Sequence, residues 1–186
     1  CSNEQSLEQV VRAAATAVKE ASSILALSSL EQRNHALEQM AAALQENKER
    51  ILAANEADMA AARQASTKES LLDRLFLDEA RIDDMASALL DLVKLDDPLG
   101  RVLENRALYN GMNLKRVTVP LGVVAVIYEA RPNVTVDAAG ICLKSGNAVV
   151  LRGGSLAVRS TGALWRVLSE AAERAGLPAS CIVGID

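Results

Sequence analysis

The sequence is poor in aromatic residues and in long apolar runs, and each shortage excludes a class of protein. With one Trp, two Tyr and one Phe among 186 residues, the chain offers little surface on which nucleic-acid bases could stack. No apolar run approaches the roughly 18 residues that a membrane span needs, and the first twenty residues mix charges with Ala and Val instead of forming a signal-peptide core. We expect a cytoplasmic protein without nucleic-acid or membrane partners.

Cysteine is also scarce, and the usual nucleotide-binding motifs are missing. Cys1, Cys142 and Cys181 lie far apart, with no CxxC and no Cys/His pairing, so neither a disulfide framework nor a zinc site is predicted. We predict no metal and a reducing compartment. Because a GxGxxG fingerprint and a Walker A loop are both absent, any bound nucleotide must be held in another way.

Proline and glycine first occur at Pro98 and Gly100, which marks a boundary between two kinds of structure. Within residues 1–99 the apolar residues recur at helical spacing, and this pattern predicts four or five amphipathic helices. Ser29 followed by Gln32 predicts a capping box, and Asp78 is predicted to cap a later helix.

Residues 100–119 are predicted to form a β-hairpin. Asn110-Gly111 lies between two strand-like runs, Arg106–Tyr109 and Met112–Val119, as it would in a type I′ turn.

Residues 120–186 alternate strand-like and helix-like segments, which indicates βαβαβ units and an α/β fold. Such units form a parallel sheet that we expect to be buried on both faces, with ligands beyond the carboxyl ends of the strands. The predicted segments in chain order are strand Gly122–Tyr128, helix Val134–Lys144, strand Ala148–Leu151, helix Leu156–Ala175 and strand Ile182–Val183.

Charge is distributed unevenly along the chain. Residues 1–111 carry 12 basic and 19 acidic side chains, a net charge of −7, whereas residues 112–160 carry 6 basic and 2 acidic ones, a net charge of +4. A local positive region with acidic surroundings favours a small anionic ligand over a long polyanion.

Two strand-to-helix junctions carry the candidate site residues. At the second junction, Arg152-Gly153-Gly154-Ser155, the glycines let a ligand approach the backbone closely, and Arg152 offers hydrogen-bond donors. The following helix is expected to present unpaired N–H groups, so a phosphate group is the expected ligand. A plain tight turn explains the tetrapeptide equally well. At the first junction, Glu129-Ala130-Arg131-Pro132-Asn133, the side chain of Asn133 can either cap the next helix or donate to an oxyanion.

No other residue type suggests a catalytic group. His35 lies in a predicted helix without a carboxylate or serine partner, and Cys142 among apolar neighbours is expected to be a buried small hydrophobe. From the residues alone, neither a base nor a nucleophile is identifiable.

Three segments of the chain have a recognisable sequence, and the most specific, Val117–Arg159, reads VTVPLGVVAVIYEARPNVTVDAAGICLKSGNAVVLRGGSLAVR. This segment resembles the γ-glutamyl phosphate reductase family, within the aldehyde dehydrogenase superfamily. The segments RNHALEQMAAALQENKERILAANEADMAAA and LLDRLFLDEARIDDMASALLDLVKLDDPLGRV are also similar to that family. The resemblance covers nearly the whole chain and implies a Rossmann-like fold of the aldehyde dehydrogenase type, with 1–99 and 120–186 forming the cofactor-binding part.

The resemblance also implies roles for the two junctions. Glu129, Ala130, Arg131, Pro132 and Asn133 would line the cofactor channel, with Asn133 holding an oxyanion. The superfamily's lysine-proline-serine segment aligns with Arg152, Gly153, Gly154 and Ser155, where an arginine resembles a reader of the NADPH 2′-phosphate.

The family reaction is the NADPH-dependent reduction of L-glutamate 5-phosphate to L-glutamate 5-semialdehyde and phosphate, a step of proline biosynthesis. It uses a cysteine nucleophile from a second domain, and none of the three cysteines here matches that motif. Two alternatives are a non-catalytic nucleotide-binding or interaction module and an NAD(P)-dependent aldehyde oxidation. The RPNVT and RGG segments argue against the latter, because ordinary aldehyde dehydrogenases carry tryptophan-asparagine and lysine-proline there.

Two kinds of protein partner are implied as well. The hairpin at 100–119 falls where such enzymes build their subunit-bridging element, so a homo-oligomer is expected. Because the family also occurs fused to a glutamate 5-kinase, coupling to that kinase is a further expectation.

Overall fold

The computed structural model describes residues 2–185, with side chains from residue 8 onward, so Cys1 lies outside the described residues. Helices account for most of the first half. The described part contains five helices before the first strand, at the upper limit of the prediction: α1 Ser2–Leu25, α2 Leu30–Glu46, α3 Lys48–Gln64, α4 Glu69–Leu75 and α5 Glu79–Lys94.

The two predicted helix caps are confirmed. The Ser29 hydroxyl accepts a hydrogen bond from the Gln32 N–H at 3.1 Å, and the Gln32 side chain accepts one from the Ser29 N–H at 2.9 Å. Asp78 accepts from the Arg81 N–H at 2.8 Å. Each cap satisfies N–H groups that the first helical turn leaves unpaired, which fixes where α2 and α5 begin.

The predicted hairpin is present, but its turn type is wrong. Strands β1 Val102–Ala107 and β2 Asn113–Val117 pair antiparallel. Gly111 has a φ of 84°, whereas Asn110 does not have the positive φ that a type I′ turn requires. Instead, the Gly111 N–H donates to the Leu108 carbonyl at 3.0 Å, and the Leu108 N–H donates to Met112 at 2.7 Å. Because Leu108 and Met112 are joined by this hydrogen bond, residues 109–111 form a three-residue loop. Within the loop, the Asn110 side chain accepts a hydrogen bond from the Met112 N–H.

A parallel three-stranded sheet follows, in the order β3-β4-β5, and the predicted α/β fold class is confirmed. Its strands are β3 Val123–Ile127, β4 Ala148–Arg152 and β5 Ile182–Gly184, and the intervening helices are α6 Pro132–Lys144 and α7 Val158–Arg174. Short 3₁₀ turns, Ser155–Ala157 and Ala179–Cys181, precede α7 and β5.

The expectation that both faces of the whole sheet are buried is wrong for β3. The middle strand β4 is largely buried, but Ala125 is exposed and Ile127 is 82% exposed on the end strand. The reason is the position of α1, which lies mainly over β4 and contacts β3 little. One face of β3 is therefore apolar and uncovered by the described residues.

A single large core joins the helices to the sheet, with α2 packed between α5 and α7. One polar residue in this core, Arg33, is 1% exposed and connects α2 to other parts of the chain. The Arg33 guanidinium pairs with Asp97 at 2.7 Å and donates to the Lys144 carbonyl at the end of α6 at 2.9 Å. No helix among the described residues is long and apolar enough to cross a membrane.

Candidate functional site

The two predicted junctions meet at the carboxyl edge of the sheet. Ile127 and Arg152, the last residues of β3 and β4, are register partners, and the Tyr128 N–H donates to the Arg152 carbonyl at 3.1 Å. At Gly154 a Cβ atom would come within 3.3 Å of the Glu129 and Ala130 backbone. The absence of a side chain at Gly154 therefore lets one junction rest directly on the other.

The first junction turns sharply before α6. The Arg131 N–H donates to the Glu129 carbonyl at 2.8 Å, and α6 begins at Pro132, two residues before the predicted start at Val134. Proline suits this first helical position because its φ is already helical and its missing N–H would have no partner. Asn133 consequently lies inside the first turn, and no side chain caps this helix. The capping interpretation of Asn133 is wrong.

Asn133 is exposed and lines a cleft of about 440 Å³ between α6 and the α4–α5 segment. Both apolar and charged side chains line the cleft. Its lining residues are Asp73, Arg74, Phe76, Leu77, Arg81, Asp84, Met85, Ala88, Arg131, Asn133 and Asp137.

The charged side chains in this cleft differ in what holds them. Arg81 is fully engaged, because it donates to the Asp73 and Phe76 carbonyls at 2.7 Å each and lies over the Phe76 ring, 5.4 Å from its centre. Arg74 is exposed and has no polar partner in the described chain. Asp137 is half-buried, and its burial raises the pKa of the carboxyl.

The second junction is packed more tightly by its own chain. A Cβ atom at Gly153 would come within 3.0 Å of the Thr161 side chain. The Arg152 guanidinium donates to the neighbouring Gly153 carbonyl and is partly exposed, while Ser155 is exposed. A side chain at either glycine would crowd the neighbouring chain, whereas Arg152 and Ser155 remain accessible at the edge.

Two of the N–H groups predicted to be unpaired at the start of α7, those of Arg159 and Ser160, already have a partner in the chain. The buried Asp58 carboxylate of α3 accepts from the Ser160 N–H at 2.8 Å, from its hydroxyl at 2.7 Å and from the Arg159 N–H at 3.4 Å. The chain's own carboxylate therefore fills the anion site that the helix dipole creates. The sequence prediction is wrong for these two groups, and the separation of 101 positions between Asp58 and Arg159 explains why no local pattern showed it.

The cysteines and His35 lie elsewhere. Cys142 and Cys181 are buried, and burial raises the pKa of both thiols, that of Cys181 to about 12. His35 has a carboxylate neighbour that the sequence analysis did not expect, since its ring lies 3.8 Å from Glu38 on the exposed side of α2. Among the described residues, no group of three His, Cys, Asp or Glu side chains could hold a metal ion.

Sequence reasoning missed Asp58, Arg74 and Asp137. Asp137 could have been found, because it lies four residues after Asn133 and so on the same side of any helix that includes both residues. Arg74 reaches the cleft only through the packing of α4–α5 against α6.

Comparison with known proteins agrees with the architecture. The model of the aldehyde dehydrogenase family matches residues 1–184. The γ-glutamyl phosphate reductase of Moorella thermoacetica is 54% identical over 88% of this chain and 39% of that protein, and the one from Clavibacter michiganensis is 51% identical over 97% and 41%. The chain thus spans about two fifths of the length of these relatives.

Solved structures give the same result. The γ-glutamyl phosphate reductase of Thermotoga maritima superimposes with a TM-score of 0.90 at 40% identity, covering 92% of this chain and 42% of that one. The enzyme of the same name from Saccharomyces cerevisiae gives a TM-score of 0.86 at 32% identity, covering 92% and 45%. The resemblance predicted from the sequence is confirmed.

Proposed function

Because this chain belongs to the aldehyde dehydrogenase family, we propose that the whole protein reduces L-glutamate 5-phosphate with NADPH to L-glutamate 5-semialdehyde and phosphate, in proline biosynthesis. The similarity to proteins named γ-glutamyl phosphate reductase, at 54% and 51% identity, supports this reaction. The observation that carries it is the placement of Asn133, which projects from the start of α6 into the cleft beside the sheet edge.

Asn133 is suited to stabilising negative charge on a reacting carbonyl oxygen. Its side chain is exposed and makes no hydrogen bond to any described residue, so its amide N–H₂ is free to donate. It also lies at the N-terminal end of α6, where the helix dipole favours negative charge. Such donors act strongly in catalysis because they are already oriented toward the oxygen on which charge develops.

The second junction is the proposed contact for the adenosine end of NADPH. Arg152 and Ser155 supply accessible donors at the carboxyl edge of the sheet, which fits a ribose or a 2′-phosphate. Of the residues predicted to line the cofactor channel, Glu129 and Arg131 are exposed and would lead from there to Asn133, whereas Ala130 and Pro132 are buried and would only support the channel wall. When bound, NADPH supplies the hydride. Because Asp58 occupies the start of α7, phosphate binding at this junction would fall to Arg152 and Ser155.

No nucleophile is identifiable among the residues that the structure describes. Cys142 and Cys181 are buried with raised pKa values, so neither forms a thiolate readily. We place the nucleophilic cysteine in the length of the relatives that this chain does not span.

Association of the whole protein is proposed at the hairpin β1–β2. All residues of both strands are exposed, including Val102, Leu103 and Leu114. An isolated hairpin is marginal in water, so a homo-oligomer contact would stabilise it. Coupling to a glutamate 5-kinase and a cytoplasmic location remain predictions from the sequence.

The direct test is NADPH oxidation by the full-length protein, followed by absorbance with L-glutamate 5-phosphate as substrate. We expect turnover that releases one phosphate for each NADPH consumed. NADPH binding without turnover would instead favour the alternative of a non-catalytic nucleotide-binding module.

A further inference from the structure

The cleft beside Asn133 contains charged side chains that do not hold the fold together. Arg74 from α4 and Asp137 from α6 both line the cleft, and neither makes a hydrogen bond or an ion pair within the described part of the chain. Arg81 in the same cleft shows the contrast, because its guanidinium is bound to Asp73 and Phe76. A ligand that carries both a positive and a negative group could therefore pair with Asp137 and Arg74 in this cleft.

Asp137 is held in an unfavourable place. It is half-buried, and its loss of water raises the pKa of the carboxyl with no partner to compensate. A ligand cation beside Asp137 would replace the lost water, so this carboxylate is better explained by binding than by stability.

The distance from Asn133 to Asp137 matches a short amino acid. Four residues advance an α-helix by about 6 Å, and residues four apart lie on the same side of the helix. In an extended glutamyl chain, three carbon–carbon bonds separate the side-chain acyl carbon from the α-carbon, roughly 4 Å, and the amino nitrogen lies one bond further. An acyl group at Asn133 would therefore place its amino group close to Asp137, which lines the same cleft.

We propose that Asp137 binds the α-ammonium group and Arg74 the α-carboxylate of the substrate whose acyl phosphate reacts at Asn133. This inference rests on the proposed function and adds to it the residues that select an amino acid. Arg74 belongs to α4 and Asp137 to α6, so the substrate would bridge the two elements that form the cleft.

Three acyl phosphates test the assignment in the full-length enzyme: glutamate 5-phosphate, glutaryl phosphate without the amino group, and butyryl phosphate without both charged groups. Asp137→Asn should lower kcat/KM about ten- to a hundredfold for glutamate 5-phosphate, the size of a lost charge-assisted hydrogen bond. It should leave the other two unchanged. Arg74→Gln should impair the first two substrates and spare butyryl phosphate, and neither variant should change the KM for NADPH.

The matched control is Asp91→Asn, because Asp91 is an exposed carboxylate on α5 outside the cleft, 2.7 Å from Lys94. It should leave all three substrates unaffected. An unchanged preference for glutamate 5-phosphate over glutaryl phosphate in Asp137→Asn would overturn the inference while leaving the proposed reaction standing. A wild-type protein inert toward every acyl phosphate would instead overturn the proposed function. If Asp137→Asn fails to fold, the test depends on Arg74→Gln, whose substitution lies at an exposed position. An equal loss of kcat/KM for all three substrates in Arg74→Gln would contradict the proposal.

Discussion

The two junctions at the carboxyl edge of the sheet each connect a parallel strand to a helix, yet the structure uses them differently. The first leaves Asn133 exposed at the start of α6 and facing a cleft. The second is closed by its own chain, with Gly153 against Thr161, Gly154 against Glu129, and Asp58 on the start of α7. A glycine-rich turn can therefore serve packing even where a ligand is expected, while the proposed oxyanion donor, Asn133, comes from the other junction.

The largest effect is expected at the first junction. Asn133→Ala should lower the turnover of the full-length enzyme roughly ten- to a thousandfold, as for the loss of an oxyanion donor. Because Asn133 makes no hydrogen bond within the described chain, the melting temperature should stay near that of the wild type. Unchanged turnover in steady-state assays would remove Asn133 from the mechanism.

Asp58→Ala tests whether the Asp58 carboxylate stabilises the start of α7 beside the second junction. The change removes the acceptor of both the Ser160 N–H and the Ser160 hydroxyl proton in a buried place, so we expect a loss of about 3 kcal/mol in the free energy of unfolding, measured with urea. Glu56→Ala, at an exposed position on the same helix, is the control and should cost less than about 0.5 kcal/mol. Equal losses in both variants would mean that Asp58 does not hold the start of α7.

A smaller and more selective effect is expected from Arg152→Ala. Removing one charge-assisted contact should weaken NADPH binding about tenfold or more, with NADH binding little changed because NADH lacks the 2′-phosphate. Fluorescence titration of the full-length protein with both cofactors measures this difference. Equal weakening for both would assign Arg152 to the turn rather than to the 2′-phosphate.

The smallest effect concerns pH and Asp137. Since burial raises its pKa in the folded state, the ionised carboxylate lowers stability above the folded-state pKa, and this cost disappears as the pH falls below the unfolded-state pKa. Asp137→Asn should therefore raise the melting temperature slightly at pH 7, by no more than about 2 °C, and not at pH 3. A lower melting temperature at pH 7 would show that the carboxylate has a stabilising partner.

Features that depend on nearby residues could be predicted from the sequence. The caps at Ser29 and Asp78, the hairpin position and the alternating strands and helices follow from local spacing. The exposure of Ile127 could not be predicted, because it depends on where α1 lies over the sheet.

The same limit applies to the candidate site. Asn133 was identified from its place after a strand, but its position inside the first helical turn depends on Pro132 starting α6. The cleft itself forms between α4–α5 and α6, which are distant in sequence. Asp58 likewise reaches Ser160 across 102 residues.

The central claim is that the first junction acts on the reacting substrate and the second only on the cofactor. Turnover of Asn133→Ala and Arg152→Ala, measured side by side at saturating NADPH and glutamate 5-phosphate, tests it most directly. We predict that Arg152→Ala regains the wild-type rate when NADPH saturates, whereas Asn133→Ala stays slow at any NADPH concentration. A slow Arg152→Ala enzyme, or an Asn133→Ala enzyme rescued by NADPH, would contradict this division of roles.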